Sequence, residues 1–534
     1  MAQPPKPKAR GRKKPSTKAR SASRATRKAK RPPKNERFEP TLAGARKAAR
    51  GWFGIHRLHP EQEQAMEAVL AGRDTLVVLP TGYGKSLIYQ VPALLLDRPT
   101  LVISPLIALM RDQERALRAR GVPVVRLDST LKAAARRQAL QRLEKGGRLI
   151  VLTTPETLES EKTRPSLQKA RPLLLCVDES HCISEWGHDF RPAYLRIGIE
   201  RARLDVPTTL ALTATATPKV RADIAERLRM ADPAEVIAPP HRRNLRLGVD
   251  IVPGNLKIER TAKLLKRLRR PGILYCATTK AVDEIYGALT RARIPCTRYH
   301  GGMKTNLRNN AQRKFMKGDR RLVMAATSAF GMGIDKPDIR YIVHYQAPGS
   351  LEQYVQEAGR AGRDGKPSDC ILLFDPADLE IQAYLQKQGR PSPAQLRRVA
   401  HAAAAWAAED KAPTAKDLAV SAQIPATTCR ALCAQLEDLG LLERDPEKRY
   451  VARVPPEALR EGAEDLAQRY ETMRREDDRR LRSIAEYAET PECRSVFIRR
   501  YFGEPDPPPC GKCDRCRERH RLEDATRRVR KQSR

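Results

Sequence analysis

TLVVLPTGYGKS, residues 75 to 86, runs an apolar stretch straight into two glycines, a lysine and a serine. A buried strand that ends in such a turn and then opens a helix is the frame of a phosphate-binding loop. Gly82 and Gly84 let backbone N–H groups face phosphate oxygens, Lys85 reaches the β and γ phosphates, and Ser86 is placed to ligate Mg2+. Thr81 lies inside the same loop. The strict pattern wants glycine at position 79, where this chain has Leu79, so the loop by itself leaves a chance match open.

Two further stretches narrow that reading. LLLCVDES, residues 173 to 180, is an apolar strand ending in two carboxylates. Asp178 is placed to hold Mg2+ through water and Glu179 to polarise the attacking water as general base. Acids at a buried strand end with nothing to serve would be costly. QEAGRAGRDG, residues 356 to 365, has spacing that predicts a helix with Gln356, Arg360 and Arg363 on one face. Beside a phosphate loop, two guanidiniums aimed the same way read as an arginine finger that completes the site when two domains close. Together these stretches imply ATP hydrolysis tied to domain motion.

Outward from these motifs, short apolar runs alternate with helical patterns: TLVVL (75 to 79), TLVIS (100 to 104), VPVVRL (122 to 127), RLIVLT (148 to 153), LLLCV (173 to 177) and TLALTA (209 to 214). The pattern resumes at GILYC (272 to 276), RLVMAA (321 to 326), YIVHY (341 to 345) and CILLF (370 to 374). Continuous apolar strands separated by helices predict parallel sheets covered on both faces. Two tandem α/β domains follow, 37–235 and 236–376. Residues 377–480 turn helical. Within them TAKDLAVSAQIPATTCRALCAQLEDLGLLERDPEKRYVA (414 to 452) outlines a winged helix, with Leu432, Leu436 and Leu439 on one face of its second helix, a stop at Gly440 and a hairpin around Asp445 and Pro446. Such a unit either reads DNA through that helix or docks against another domain.

The chain has 534 residues, with 102 Lys and Arg against 63 Asp and Glu, a net charge of +39. That imbalance calls for a polyanionic partner, nucleic acid before membrane. Residues 1–36 form a basic tail, acid-free up to residue 35 and too poor in large apolar side chains to build a core. It lacks the apolar face of a transit peptide and reads as a nucleic-acid-binding tail. No run approaches the length of a membrane span. A cytoplasmic site of action follows, and there eleven cysteines are thiols or metal ligands rather than disulfides. In ECRSVFIRRYFGEPDPPPCGKCDRC, residues 492 to 516, Cys493, Cys510, Cys513 and Cys516 supply four thiolates for a structural Zn2+. They define a zinc-binding module at 481–520, followed by a basic tail at 521–534. Cys429 and Cys433, one turn apart, read as packing residues.

From Trp52 to Phe374 the sequence resembles the RecQ helicases of superfamily 2. The blocks that carry the likeness include FGIHRLHPEQ (53 to 62), PTGYGKSLIYQVPA (80 to 93), DESHCISEWGHDFRPAY (178 to 194), LTATATPKV (212 to 220), ATSAFGMGIDKPDIRYIVHY (326 to 345) and QEAGRAGRDG. The resemblance implies two RecA-like motor domains and ATP- and Mg2+-dependent 3′-to-5′ unwinding of DNA in recombination and repair. It implies that Gln62 reads the adenine edge. It further implies that residues 181 to 192 sense single-stranded DNA and report to the ATP site. Trp186 and Phe190 would then stack on bases, His188 would lie within the segment, and Arg191 would pair with phosphate or with the loop. Implied partners are single-stranded and duplex DNA, a single-stranded-DNA-binding protein and a topoisomerase, for a monomer on the chromosome or nucleoid.

The chain departs from the family at Leu58-His59, where Phe-Arg is usual, at Ser180, and at Glu185, where Gln is usual and a negative charge now stands in the expected path of DNA. The zinc cysteines also follow the winged helix rather than precede it. Two rival functions are an RNA helicase or remodeller of the same superfamily and a non-catalytic DNA-binding architectural protein.

Overall fold

A computed structural model describes residues 38–532, apart from 187–188, 241, 318–320, 332–333, 335 and 390–391. The basic tail at 1–36 and His188 therefore lie outside the described residues. The first sheet has seven parallel strands: β1 (Thr75–Val78), β2 (Thr100–Ile103), β3 (Val124–Leu127), β4 (Ile150–Thr153), β5 (Leu174–Val177), β6 (Thr208–Thr213) and β7 (Ala234–Ile237). Their order is β3-β4-β2-β5-β6-β1-β7. The apolar runs are continuous because both faces are covered. Val77 and Leu79 pack into the core on one side, while Leu76 and Val78 pack into the core on the other. Each fully buried Leu or Val contributes about 1.5–3 kcal/mol.

A second six-stranded parallel sheet comprises β8 (Leu245–Ile251), β9 (Gly272–Tyr275), β10 (Cys296–Tyr299), β11 (Val323–Ala326), β12 (Tyr341–His344) and β13 (Ser368–Phe374), in the order β10-β11-β9-β12-β13-β8. The same alternation places Ile273 and Tyr275 in one core and Leu274 and Cys276 in the other. The strands that the apolar pattern does not announce, β7, β8 and β10, are all edge strands. Every residue of β10 is only partly buried, so an uninterrupted hydrophobic run has no reason to form there.

The winged helix is present. Helix Ala415–Ser421 starts on a capping box between Thr414 and Asp417, helix Ala426–Asp438 follows, and β14 (Leu442–Arg444) pairs antiparallel with β15 (Tyr450–Ala452). Leu432 and Leu436 are buried as expected, and so are Cys429 and Cys433, but Leu439 is the residue after the helix and is 45% exposed.

Three domain edges differ from the sequence reading. The edge at 235/236 would cut β7, which belongs to the first sheet, so the linker is 238–244. The edge at 480/481 falls inside one unbroken 34-residue helix, Pro456–Glu489. The tail expected from 521 is the end of helix Asp514–Gln532. The zinc module is not separate either: Tyr487, Cys493, Cys513 and Cys516 share a core with Tyr354, Cys370 and Phe374 of the second motor domain. Arg494, 1% exposed, ties this junction together. Its guanidinium donates to both Asp514 oxygens and to the Tyr487 and Ala488 carbonyls, while Asp514 accepts from the Val249 N–H of β8.

Candidate ATP site and its coupling segment

The phosphate loop leaves β1 with positive φ at Gly82 (84°) and Gly84 (76°), values that side chains rarely adopt. Space is tight for a side chain as well. A Cβ on Gly84 would lie 2.7 Å from Gln62 Nε2, and one on Gly82 would lie 3.0 Å from the stem of Arg363. Gln62 is buried, donates to the Tyr83 and Gly84 carbonyls at 2.9 and 3.1 Å, and accepts from the His59 N–H at 2.9 Å. Its amide thus clamps the loop, a contact additional to the adenine reading that the resemblance implies. His59 and Tyr83 stack with centroids 4.3 Å apart, and Tyr83 donates to Glu61 at 3.0 Å. These partners escaped sequence reasoning because nothing marks Tyr83 or Glu61 as more than surface residues.

Lys85 turns inward and donates to the Leu79 carbonyl at 3.1 Å. Desolvation draws its pKa down, and the Glu179 and Asp178 carboxylates oppose that shift. Asp178, at the end of β5, is buried; desolvation first, then its neighbour Glu179, push its pKa up to about 7, with Lys85 pulling the other way. Glu179 has φ 49°, a left-handed conformation stored at the functional end of the strand. Its carboxylate lies 3.5 Å from His181 Nδ1, and that nitrogen is 2.9 Å from Thr213 Oγ1 at the end of β6. A chain of polar contacts therefore runs from the acid pair to the neighbouring strand. Ser86 sits at the N-terminus of helix Leu87–Gln90.

The second domain reaches this loop directly. Helix Leu351–Ala358 ends before the arginines, so Arg360 and Arg363 lie in turns, one of them at Gly362 with φ 53°. Gln356, on the helix, is only half-buried. The expected common helical face does not form, and the two arginines part company. Arg360 is 5% exposed and donates to the Gly331 carbonyl within its own domain. Arg363 lies along Gly82 of the phosphate loop, and a Cβ on Gly359 would lie 3.1 Å from Thr81 Oγ1. Arg242 and Asn244 fix this turn from the linker: Arg242 donates to the Gly359 and Gly362 carbonyls at 3.0 and 3.2 Å, and Asn244 to Gly362 at 2.8 Å. Their roles are invisible without knowledge of where the linker passes.

In the segment after Glu179, Arg191 pairs with the loop, donating to Asp189 at 3.1 Å. Trp186 is half-buried against the first domain's core, and the Lys219 ammonium stands 3.1 Å from its ring centroid. Lys219 thus occupies a face of the ring where the sequence predicts an open stacking face. Phe190 lines two cavities of about 550 and 500 Å3.

The four cysteine sulfurs, Cys493, Cys510, Cys513 and Cys516, all lie within 4.8 Å of one another. Backbone N–H groups point at them: Cys510 to Cys493 at 3.2 Å, Cys513 to Cys510 at 3.4 Å and Cys516 to Cys513 at 3.4 Å. Such donors stabilise thiolates, and four of them with no open position fit a structural Zn2+.

Three family models match in order: DEAD/DEAH box helicase over residues 59–224, helicase conserved C-terminal domain over 256–365, and RecQ zinc-binding over 458–517. The ATP-dependent DNA helicase RecQ of Bacillus subtilis is 35% identical over 479 residues, covering 89% of this chain and 67% of that protein. The chain belongs to the RecQ family of ATP-dependent DNA helicases. The Haemophilus influenzae RecQ is 31% identical over 87% of this chain and 62% of its own length. RecQ-like DNA helicase blm-1 of Caenorhabditis elegans is 39% identical over 60% of this chain and 34% of its own. Among solved structures, the DUF1998 helicase MrfA bound to DNA and AMPPNP superposes with TM-score 0.51 at 19% identity, over 77% of this chain and 62% of that one. This last likeness speaks for the fold alone. The RecQ zinc-binding match starts within the long helix, so in this RecQ-family chain helix and cysteines form one unit. Among the described residues, no helix is long and apolar enough to cross a membrane.

Proposed function

We propose that the chain hydrolyses ATP in the cleft between its two sheets and uses the cycle to move 3′-to-5′ along single-stranded DNA, unwinding duplex, forked or junction DNA in recombination and repair. The observation that carries the proposal is Arg363 of the second domain lying against Gly82 of the first domain's phosphate loop. In this reading Thr81, Gly82, Gly84 and Lys85 cradle the phosphates, Glu179 takes the proton of the attacking water, and Arg363 neutralises charge that develops only in the transition state. Arg360, which donates to the Gly331 carbonyl, and Gln356, on the helix before the turn, belong to the same catalytic element of the second domain. Ser86 and Asp178 would hold Mg2+, and a divalent cation beside Asp178 would relieve the desolvation of its carboxylate. The bound metal supplies neutralisation of the phosphate oxygens.

Only Ser180 separates Glu179 from residues 181 to 192, so a strand that moves Trp186, Phe190 or Arg191 moves the acid that activates water. His188 belongs to this segment by sequence. The same reading carries a single-stranded-DNA-binding protein and a topoisomerase as partners of a monomer on the nucleoid.

Phosphate release by the wild-type chain and by Lys85→Ala, with and without single-stranded DNA or RNA, tests the proposal. DNA should stimulate the wild type many-fold and Lys85→Ala should be inactive. An active Lys85→Ala, or stronger stimulation by RNA, would overturn it.

A further inference from the structure

The long helix Pro456–Glu489 spans about 50 Å at 1.5 Å per residue. It does more than join the winged helix to the zinc site. Along it, Arg469 and Arg480 meet the segment that follows the acid pair, and Glu476 reaches it through Lys219. Arg480 is 4% exposed. An interior guanidinium needs compensation, and this one finds it in Asp477 at 3.0 Å and in the backbone carbonyl of Trp186. Glu185, 8% exposed, receives Arg469 from the helix and has Arg227 of the first domain at 3.7 Å. Lys219, which covers the Trp186 ring, pairs with Glu476 of the helix at 3.3 Å. The carboxylate, the backbone and the ring face of two consecutive residues are thus all held, directly or through Lys219, by one helix from another part of the chain.

The chemistry of Glu185 gives this contact its meaning. A carboxylate set between guanidiniums offers the same recognition as a phosphate oxygen, on a segment where a polyanion is to bind. Towards its start the helix packs on the winged helix, since Leu459, Ala463 and Leu466 share a core with Leu418, Leu432 and Leu436, and Arg397 of the preceding helix Pro393–Ala408 pairs with Glu464 at 2.7 Å and Glu471 at 2.8 Å. Arg469 lies between these two contacts, so a shift of the winged helix and its neighbour would carry it along. Room for displacement exists, because the cavities of about 550 and 500 Å3 beside Phe190 are both lined by Tyr470 and Met473 of the helix.

We propose that Arg469 and Arg480 are positioning residues for DNA-stimulated hydrolysis. In the DNA-free chain they hold Glu185 and Trp186 in a resting register, and a strand phosphate replaces Glu185 as the partner of Arg469, freeing the segment that begins at Asp178 and Glu179. This rests on the reading of residues 181 to 192 as the coupling segment. It adds a second control on that segment, applied from the helix that bears the winged helix.

The test compares phosphate release at zero and at saturating oligo-dT in the full-length chain for wild type, Glu185→Gln, Arg469→Glu, Arg227→Gln and the exchange Glu185→Arg with Arg469→Glu. Glu185→Gln and Arg469→Glu should raise the DNA-free rate about five-fold, equal to about 1 kcal/mol, while the DNA-saturated rate changes little. The ratio of the two rates then collapses, a change that a merely structural contact would not produce. The exchanged pair, made together with Arg227→Gln so that the new arginine meets no like charge, restores attraction and should return the DNA-free rate to that of Arg227→Gln alone. Unchanged DNA-free rates in both single variants, or an exchange that leaves the rate raised, would overturn the inference while leaving the coupling segment intact. A wild type that DNA does not stimulate at all would instead sink the reading on which it rests.

Discussion

Truncating the two arginines of the 359–363 turn separately should give two different kinds of damage. Arg363 stands against the phosphate loop across the domain boundary. Its loss as Arg363→Ala removes a charge that acts only when the leaving phosphate develops its own. Comparable residues contribute about 10³ to 10⁵ in rate, or roughly 4–7 kcal/mol at 1.36 kcal/mol per decade. Lys85 and the loop backbone remain, so nucleotide affinity should stay within about ten-fold, and a half-buried side chain costs little stability when removed. Arg360 is 5% exposed and satisfies the Gly331 carbonyl. Arg360→Ala leaves that carbonyl without its donor and opens a cavity, costing about 3 kcal/mol of stability. The assays are DNA-stimulated phosphate release, binding of a fluorescent ATP analogue and urea denaturation on the same preparations. The division of roles would be refuted if Arg363→Ala kept activity within ten-fold of wild type, or if Arg360→Ala unfolded at the wild-type urea midpoint.

Two other substitutions probe the frame around the site. Gln62→Ala removes three hydrogen bonds that clamp the phosphate loop, each contributing about 1 kcal/mol. Affinity for ATP and GTP should fall together by ten-fold or more, whereas loss of discrimination between them would make adenine reading the larger role. Cys513→Ser breaks the thiolate set inside the core shared with the second sheet. Zinc content measured by atomic emission should drop well below one equivalent and stability should fall by on the order of 5 kcal/mol; a fully stable, zinc-free variant would contradict the shared-core assignment.

Much of this molecule could be read from its residues, and the misses have identifiable causes. Interior strands such as LLLCV and TLALTA announced themselves because both of their faces are buried, while β7, β8 and β10 stayed hidden as partly covered edges. The phosphate loop, the acid pair and the four cysteines were legible because each works through residues close together in sequence. Spacing misled at Arg360 and Arg363, since helical periodicity was extended past Ala358, where the helix ends. The sequence offers Trp186 as an open stacking face because its cover, Lys219, and the residues that hold its segment, Arg469 and Arg480, lie on distant elements. The same distance concealed Arg242 and Asn244. Many of the missed contacts are made by a folded linker and one long helix, neither of which carries a local motif, and the others, such as Lys219 on the Trp186 ring, join residues far apart in sequence.

Strand separation on two otherwise identical duplexes, one with a 3′ and one with a 5′ single-stranded tail, tests the central claim most directly. In the presence of ATP and Mg2+ the wild-type chain should separate the 3′-tailed duplex and leave the 5′-tailed one paired, and Lys85→Ala should separate neither. Unwinding that prefers the 5′ tail, or that proceeds equally well in Lys85→Ala, would contradict a motor powered from the cleft where Arg363 meets Gly82.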